Sequence, residues 1–147
     1  MSLNLYGPTL TLAIFVAYSL TAFRASKRGL SPQLVWDSLP WVLIFGILGA
    51  RLYHIINYWN YYSQNIILAV QVWRGGLAIY GALGGGLLGA IIYLKVKKSK
   101  LPILNHLDVA APEIALAQAI GRIGNIFNGE NLPFAYWEIV TNLFIFV

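Results

Sequence analysis

The sequence alternates between long apolar stretches and short polar segments. Four stretches reach about the 20 residues that cross a hydrocarbon core of about 30 Å: Tyr6–Phe23, Val35–Tyr58, Gly75–Leu94 and His106–Phe127. A fifth begins near Pro133 and is still apolar at the last residue. This pattern predicts an all-α fold, a polytopic transmembrane helical bundle with four spans plus the start of a fifth. Because no repeat or linker divides the chain, residues 1–147 are predicted to form a single integral-membrane domain.

The basic residues set the predicted orientation of the helices. Seven of the ten Lys and Arg lie in two clusters, one after the first span and one after the third, namely Arg24, Lys27, Arg28 and Lys95, Lys97, Lys98, Lys100. An excess of Lys and Arg in short loops marks the cytoplasmic side of a membrane. The amino terminus is therefore predicted to lie outside. An aromatic cluster after the second span, Tyr58–Tyr62, is typical of the outer interface.

Composition supports a chain surrounded by lipid. Hydrophobic residues make up 59% of the sequence and charged residues 10%, against about a quarter charged in soluble domains. The net charge of +5 is therefore not interpreted as a nucleic-acid interface. The absence of cysteine excludes disulfides, thiolate nucleophiles and cysteine metal sites, and two histidines argue against a histidine-rich metal site. No cleavable signal peptide is expected, since the first basic cluster follows the first apolar run.

Two arginines lie inside apolar stretches, where a charged side chain is costly and usually functional. Arg51 and Arg122 each follow the predicted cytoplasmic start of their helix by sixteen residues, or about 24 Å at a rise of ~1.5 Å per residue. Both are thus predicted to lie in one layer in the outer half of the membrane. Tyr80 approaches the same layer from the outer end of the third helix.

Amides and a carboxylate accompany these arginines at the outer end of the fourth span, at Asn125, Asn128 and Glu130. Guanidinium groups bind phosphate through paired hydrogen bonds, so the set predicts a site for an anionic lipid phosphate. Two structural alternatives remain open. Arg51 could extend its charged end to the outer interface, and Arg122 could form an ion pair with Glu130 or another carboxylate.

Other polar and small residues are interpreted as structural. Asp108 and Glu113 lie in the cytoplasmic half of the fourth span and are expected to cap that helix or bond to the Lys95–Lys100 loop. Glycines repeat every four residues in the third span, at Gly81, Gly85 and Gly89. This spacing places them on one helix face, where a neighbouring backbone can approach closely.

The run from Gly121 to Glu130, Gly-Arg-Ile-Gly-Asn-Ile-Phe-Asn-Gly-Glu, resembles the signature of the bacterial prolipoprotein diacylglyceryl transferases. Three further stretches are similar in order and spacing: Tyr6-Gly7, Gly49–Tyr53 and Trp73–Gly81. The resemblance covers nearly the whole chain. It implies a multi-pass enzyme of the bacterial inner membrane, with its site toward the outer leaflet.

The implied reaction moves the diacylglyceryl group of phosphatidylglycerol onto the lipobox cysteine thiol of a prolipoprotein signal peptide, without a cofactor or metal. The implied partners are these two substrates and the membrane lipids. The residues assigned to catalysis are Arg122, Tyr80 and Glu130. Those assigned to substrate binding are Arg122, Asn125, Asn128, Arg51, Tyr6 and Gly76.

The chain departs from the family pattern in three places. Tyr80-Gly81-Ala82 stands where many members have His-Gly-Gly, the long arm after Asn-Gly-Glu is missing, and so are the later helices. The chain is therefore expected to correspond to the front part of the enzyme, as a natural shortened relative, a fragment or an engineered chain. The alternative function is a non-enzymatic protein that binds anionic lipid, or an oligomeric anion pathway.

Overall fold

The fold is α-helical throughout the part of the chain that the computed structural model describes. These are residues 6–99, 103–127 and 132–146, with side chains at all of them except 6, 74, 132 and 133. The helices are α1 Tyr6–Lys27, α2 Pro32–Asn57, α3 Trp59–Tyr62, α4 Ile67–Val70, α5 Ile79–Val96, α6 Ile103–Phe127 and α7 Leu132–Phe146, with a 3-10 turn at Val72–Arg74. The predicted all-α fold class is confirmed.

Among the described residues, three helices are long and apolar enough to cross a membrane, namely α1 over Gly7–Lys27, α2 and α5. Helix α6 is also long, at 25 residues, but it carries the charges of Asp108, Glu113 and Arg122. Helix α7 is shorter, at 15 residues. Four spans plus the start of a fifth, and their orientation, stay predictions.

The third apolar stretch becomes helical four residues later than predicted. Gly75 and Gly76 have φ values of +84° and +75°, a backbone conformation that favours glycine and that a right-handed helix excludes. The backbone N–H of Ala78 then donates to the carbonyl of Ala50 on α2, at 3.2 Å, and α5 begins at Ile79. Tyr80 is therefore the second residue of its helix, and its place in the layer of the two arginines stays a prediction.

The chain forms two compact units, residues 1–36 with 101–147 and residues 37–100. In the first unit, α6 packs against both α1 and α7. Ala25, Leu30 and Val109 form its small apolar cluster. A single domain over residues 1–147 stays a prediction.

An ion pair joins α1 to α6 inside the first unit. Arg24 Nε lies 2.6 Å from Glu113 Oε1, and the Glu113 side chain is 1% exposed. A buried carboxylate is costly unless a cation compensates it, so this contact explains how an apolar helix accommodates Glu113. The partner of Glu113 is Arg24 on α1, and not the helix cap or the Lys95–Lys100 loop that the sequence predicts.

A seam of glycines joins α2 to α5 inside the second unit. Gly81, Gly85 and Gly89 of α5 lie directly against the backbone of α2, whose residues Trp41, Phe45 and Gly49 recur at the same four-residue spacing. A β-carbon at any of the three glycines would overlap a carbonyl group of α2. The predicted packing function of the glycine repeat is confirmed, and the partner is α2.

We expect Gly85→Ala to destabilise the protein, because its β-carbon would lie 2.9 Å from the Phe45 carbonyl carbon and 3.1 Å from Gly49 Cα. Overpacking of this kind costs about 1–3 kcal/mol. Gly84→Ala is the matched control, since nothing lies within 4 Å of its β-carbon, and this change should stabilise the helix by up to about 1 kcal/mol. Unfolding in detergent, followed by circular dichroism, measures both; equal effects would contradict the seam.

Candidate functional site

Arg122 lies on α6 and forms an ion pair with Glu138 on α7, through its Nε and the carboxylate Oε2. The arginine side chain is 35% exposed and the glutamate side chain 43% exposed. Both groups therefore remain partly accessible while they neutralise each other. The guanidinium has five N–H donors, so an anionic ligand could bind the donors that face away from Glu138.

The partnership of Glu138 with Arg122 was not anticipated, although the sequence contains its signal. Glu138 is the one acidic residue within the apolar run from Pro133 to Val147, and a charge in such a run is expected to have a partner in the protein interior. From the sequence, the partner of Arg122 could be Glu130 or another carboxylate. Glu130 lies outside the described residues, and Glu138 is such another carboxylate.

Asn125 accompanies Arg122 on α6. It follows the arginine by three residues, which places the two on neighbouring positions of one helix face. The asparagine is 9% exposed, so its amide is almost fully inside the first unit. Asn128, like Glu130, lies outside the described residues. Tyr6 is the first residue of α1, and its side chain is not described.

Arg51 has a different environment, in the second unit. The residue is 6% exposed, and its guanidinium donates hydrogen bonds only to backbone carbonyls among the described residues. Nε donates to Ala69 at 2.8 Å, Nη1 to Gly75 and Gly76 at 2.6 and 3.0 Å, and Nη2 to Leu68 and Gln71 at 2.5 and 3.3 Å. All five N–H groups of this side chain thus have a carbonyl acceptor.

Gly76, a predicted binding residue, is in direct contact with Arg51. A β-carbon at Gly76 would lie 2.7 Å from His54 Nε2 and 2.8 Å from Arg51 Nη1. The Tyr62 ring lies on another side of the guanidinium, 5.2 Å from Arg51 Cζ. His54 also contacts the edge of the Tyr62 ring, with 5.8 Å between centroids. The pocket around Arg51 is therefore filled by the protein's own atoms.

Tyr80 lies near the start of α5 and is 72% exposed. Its ring lies beside Tyr53 of α2, with 6.2 Å between the ring centroids. Its hydroxyl therefore belongs to an open surface of the second unit.

The predicted site residues thus form two groups. Arg122 and Asn125 belong to the first unit, and Arg51, Gly76 and Tyr80 to the second. The common layer predicted for the two arginines stays a prediction. No cluster of three His, Asp or Glu side chains suited to a metal ion occurs within residues 6–99, 103–127 and 132–146.

Comparison with known proteins identifies the family. The family model for prolipoprotein diacylglyceryl transferase matches residues 1–137. The chain belongs to the prolipoprotein diacylglyceryl transferase family. The match includes α6 with Arg122 and Asn125, and it extends into α7 nearly as far as Glu138.

Curated relatives carry the name phosphatidylglycerol–prolipoprotein diacylglyceryl transferase. The protein of Parasynechococcus marenigrum is 40% identical over 130 residues, and that of Listeria welshimeri is 39% identical over 130 residues. Each alignment covers 88% of this chain and 46% of the relative. The protein of Trichormus variabilis is 36% identical over 145 residues, which is 95% of this chain and 50% of the relative. The chain therefore spans about half the length of these curated relatives.

We expect Glu138→Gln to strengthen the binding of anionic lipid. The substitution removes the carboxylate that competes with an anion for the Arg122 guanidinium. Exposed ion pairs contribute up to about 1 kcal/mol, so we expect a rise in affinity of up to about fivefold. Flotation with phosphatidylglycerol vesicles, compared with phosphatidylcholine vesicles, measures the change.

Two controls define this experiment. Thr141→Val removes a hydroxyl from α7 that donates to the Trp137 carbonyl. This substitution should leave lipid affinity unchanged. Glu138→Gln combined with Arg122→Ala should show no rise. Weaker or unchanged binding by Glu138→Gln alone would mean that Glu138 does not compete with the lipid.

Proposed function

We propose that the chain is a membrane-embedded transferase unit that acts on phosphatidylglycerol and a prolipoprotein. In the proposed reaction, the diacylglyceryl group passes to the thiol of the lipobox cysteine in the prolipoprotein signal peptide. The observation that carries the proposal is the position of Arg122. It lies on a helix within the family match, and its side chain is 35% exposed and, within the described part of the chain, has Glu138 as its carboxylate partner.

The proposed role of Arg122 is to bind the lipid phosphate. A guanidinium makes paired, charge-assisted hydrogen bonds to phosphate oxygens. It would also stabilise the negative charge that develops on the phosphate as this group leaves. Asn125, one turn along the same face, supplies a neutral amide that can hold a second polar atom of the headgroup. Asn128 and Tyr6 complete the proposed binding set; Gly76 is left out of it, because Arg51 and His54 lie against it.

The proposed chemistry forms one bond and breaks one. The cysteine sulfur of the prolipoprotein attacks the glycerol carbon that carries the phosphate ester, and a carbon–sulfur thioether bond forms. The carbon–oxygen bond to phosphate breaks, and its electron pair leaves with glycerol phosphate. The thiol proton passes to a general base. Because the nucleophilic sulfur comes from the substrate, the reaction requires no cysteine in this chain.

Tyr80 and Glu130 are the other residues that we assign to catalysis. The proposed role of Tyr80, which is 72% exposed, is to donate a hydrogen bond to a phosphate oxygen of the lipid. Glu130 follows Arg122 within the same signature and supplies the carboxylate of the proposed site. The proposed setting is the bacterial plasma membrane, with the site toward the outer leaflet, where lipid and signal peptide would meet.

We expect Arg122→Ala to weaken phosphatidylglycerol binding by about tenfold to hundredfold, since hydrogen bonds to a charged group contribute about 1.5–3 kcal/mol. Transfer to a lipobox peptide should fall by about 100-fold or more, as when a donor to a developing charge is removed. Vesicle flotation measures binding, and mass spectrometry of the peptide measures transfer. Arg28→Ala, which removes an exposed arginine, is the matched control and should behave as the parent chain.

The outcomes separate the proposed function from its alternative. Equal binding by the parent and Arg122→Ala would contradict the site. Binding that depends on Arg122, without transfer by the folded parent chain, would identify a non-enzymatic lipid-binding protein. Anion flux through vesicles that depends on Arg51 and Arg122 would identify an anion pathway.

A further inference from the structure

Arg51 connects helix α2 to the segment between α4 and α5. Its acceptors are consecutive or nearly so along the chain, in residues 68–71 at the end of α4 and in Gly75-Gly76 after the 3-10 turn. One side chain therefore holds two sections of irregular backbone at a fixed separation. The planar guanidinium suits this arrangement, because its donors point in fixed and divergent directions.

The carbonyls that Arg51 binds lie in and after the short helix α4, where few helix hydrogen bonds are available; that of Leu68 also accepts from the N–H of Gln71 at 3.3 Å. Helix α4 has only four residues, and the last four carbonyls of any helix lack an intrahelical partner. Gly75 and Gly76 belong to no helix and have left-handed φ values. Arg51 donates a hydrogen bond to each of these five carbonyls.

The opposite surface of this segment is apolar. Ile67, Val70 and Trp73 are 64%, 69% and 79% exposed, whereas the carbonyls bound by Arg51 are held against α2. The segment also leads directly into α5, since Ala78 donates to the Ala50 carbonyl just before the helix begins. The position of Tyr80 therefore depends on where Arg51 holds Gly75 and Gly76.

A phosphate could reach the Arg51 guanidinium only by displacing these carbonyls. A carbonyl left without a donor away from water is destabilising, and Arg51 itself is only 6% exposed. Gly76 and the Tyr62 ring lie against the guanidinium, and His54 lies beside Gly76, so the protein's own atoms occupy positions next to Arg51. Both the occupied N–H donors of Arg51 and its burial argue against phosphate binding at this guanidinium.

We propose that Arg51 is a positioning residue that clamps residues 68–76 to α2 and thereby places the start of α5, and that it does not bind the lipid phosphate. The sequence had instead predicted Arg51 as a residue that binds the substrate. The effect of Arg51 on transfer rests on the proposed function, whereas the clamp itself can be measured without any enzymatic assay. Arg122 is then the arginine that binds phosphate, and Arg51 acts through the loop.

The absence of cysteine from the chain allows a spin label to be attached at a single introduced cysteine. In the full chain, reconstituted in nanodiscs, Ile67→Cys places the label on α4, and Leu87→Cys places a control label on α5, where Leu87 is 42% exposed. We expect Arg51→Lys to increase the mobility of the label at position 67 and not at position 87. Lysine has three donors on one nitrogen, so it cannot span both carbonyl groups.

A second measurement needs no change at Arg51. The chain labelled at position 67 is mixed with phosphatidylglycerol vesicles and, separately, with phosphatidylcholine vesicles. The clamp predicts the same spectrum with both lipids. Loosening by phosphatidylglycerol alone would show that the guanidinium leaves its carbonyls for phosphate, and it would overturn the proposal. An unchanged mobility at position 67 in Arg51→Lys would overturn it as well.

Lipid binding and transfer then distinguish positioning from ligation. We expect Arg51→Lys to change phosphatidylglycerol affinity by less than about threefold and to lower kcat for transfer by more than tenfold. A loss of affinity as large as that of Arg122→Ala, with an unchanged label at position 67, would identify Arg51 as a ligand and contradict the clamp. If the parent chain showed no transfer, the proposed function would fail while the two mobility measurements would still decide the role of Arg51.

Discussion

Every polar or charged group in an apolar chain of this kind needs a partner supplied by the protein, and the structure depends on how that requirement is met. Lipid cannot hydrogen bond to an exposed carbonyl or neutralise a carboxylate. Arg51 meets the requirement for five carbonyls, and Arg24 meets it for the buried Glu113. Both arrangements join elements that are distant in sequence, so satisfaction of polar groups also determines which helices are connected.

The arginines of the chain therefore differ in the use of their donors. Arg51 is enclosed, and all its donors are directed at backbone. Arg122 forms an ion pair with Glu138, and its side chain remains 35% exposed. A ligand can bind Arg122 without displacing a segment of the fold, whereas a ligand that bound Arg51 would leave several carbonyls without their donor. Exposure and donor occupancy, more than depth along a helix, separate a structural arginine from one suited to phosphate.

Much of the fold follows from local sequence pattern. The apolar stretches correspond to helices because a long run without water-compatible side chains must satisfy its backbone internally, and a helix does so. The repeat of Gly81, Gly85 and Gly89 reports a close helix contact because four-residue spacing keeps the absent β-carbons on one face. Residues 121–127 of the motif around Arg122 belong to a helix within the family match, and the motif is contiguous, so its residues are identifiable from sequence alone.

The pairing of side chains could not be predicted in the same way. The acceptors of Arg51 lie 17 to 25 residues further along the chain. Glu113 forms its ion pair with Arg24, which precedes it by almost 90 positions. Those partners depend on helix packing and on the path of the short segment between α4 and α5. The later start of α5 likewise follows from the left-handed glycines, Gly75 and Gly76.

Sequence by itself determined the helices, their small-residue face and the candidate motif, because these features are periodic or contiguous. Only the tertiary structure decided which arginine is enclosed and which remains accessible, because that depends on atoms brought together from distant positions.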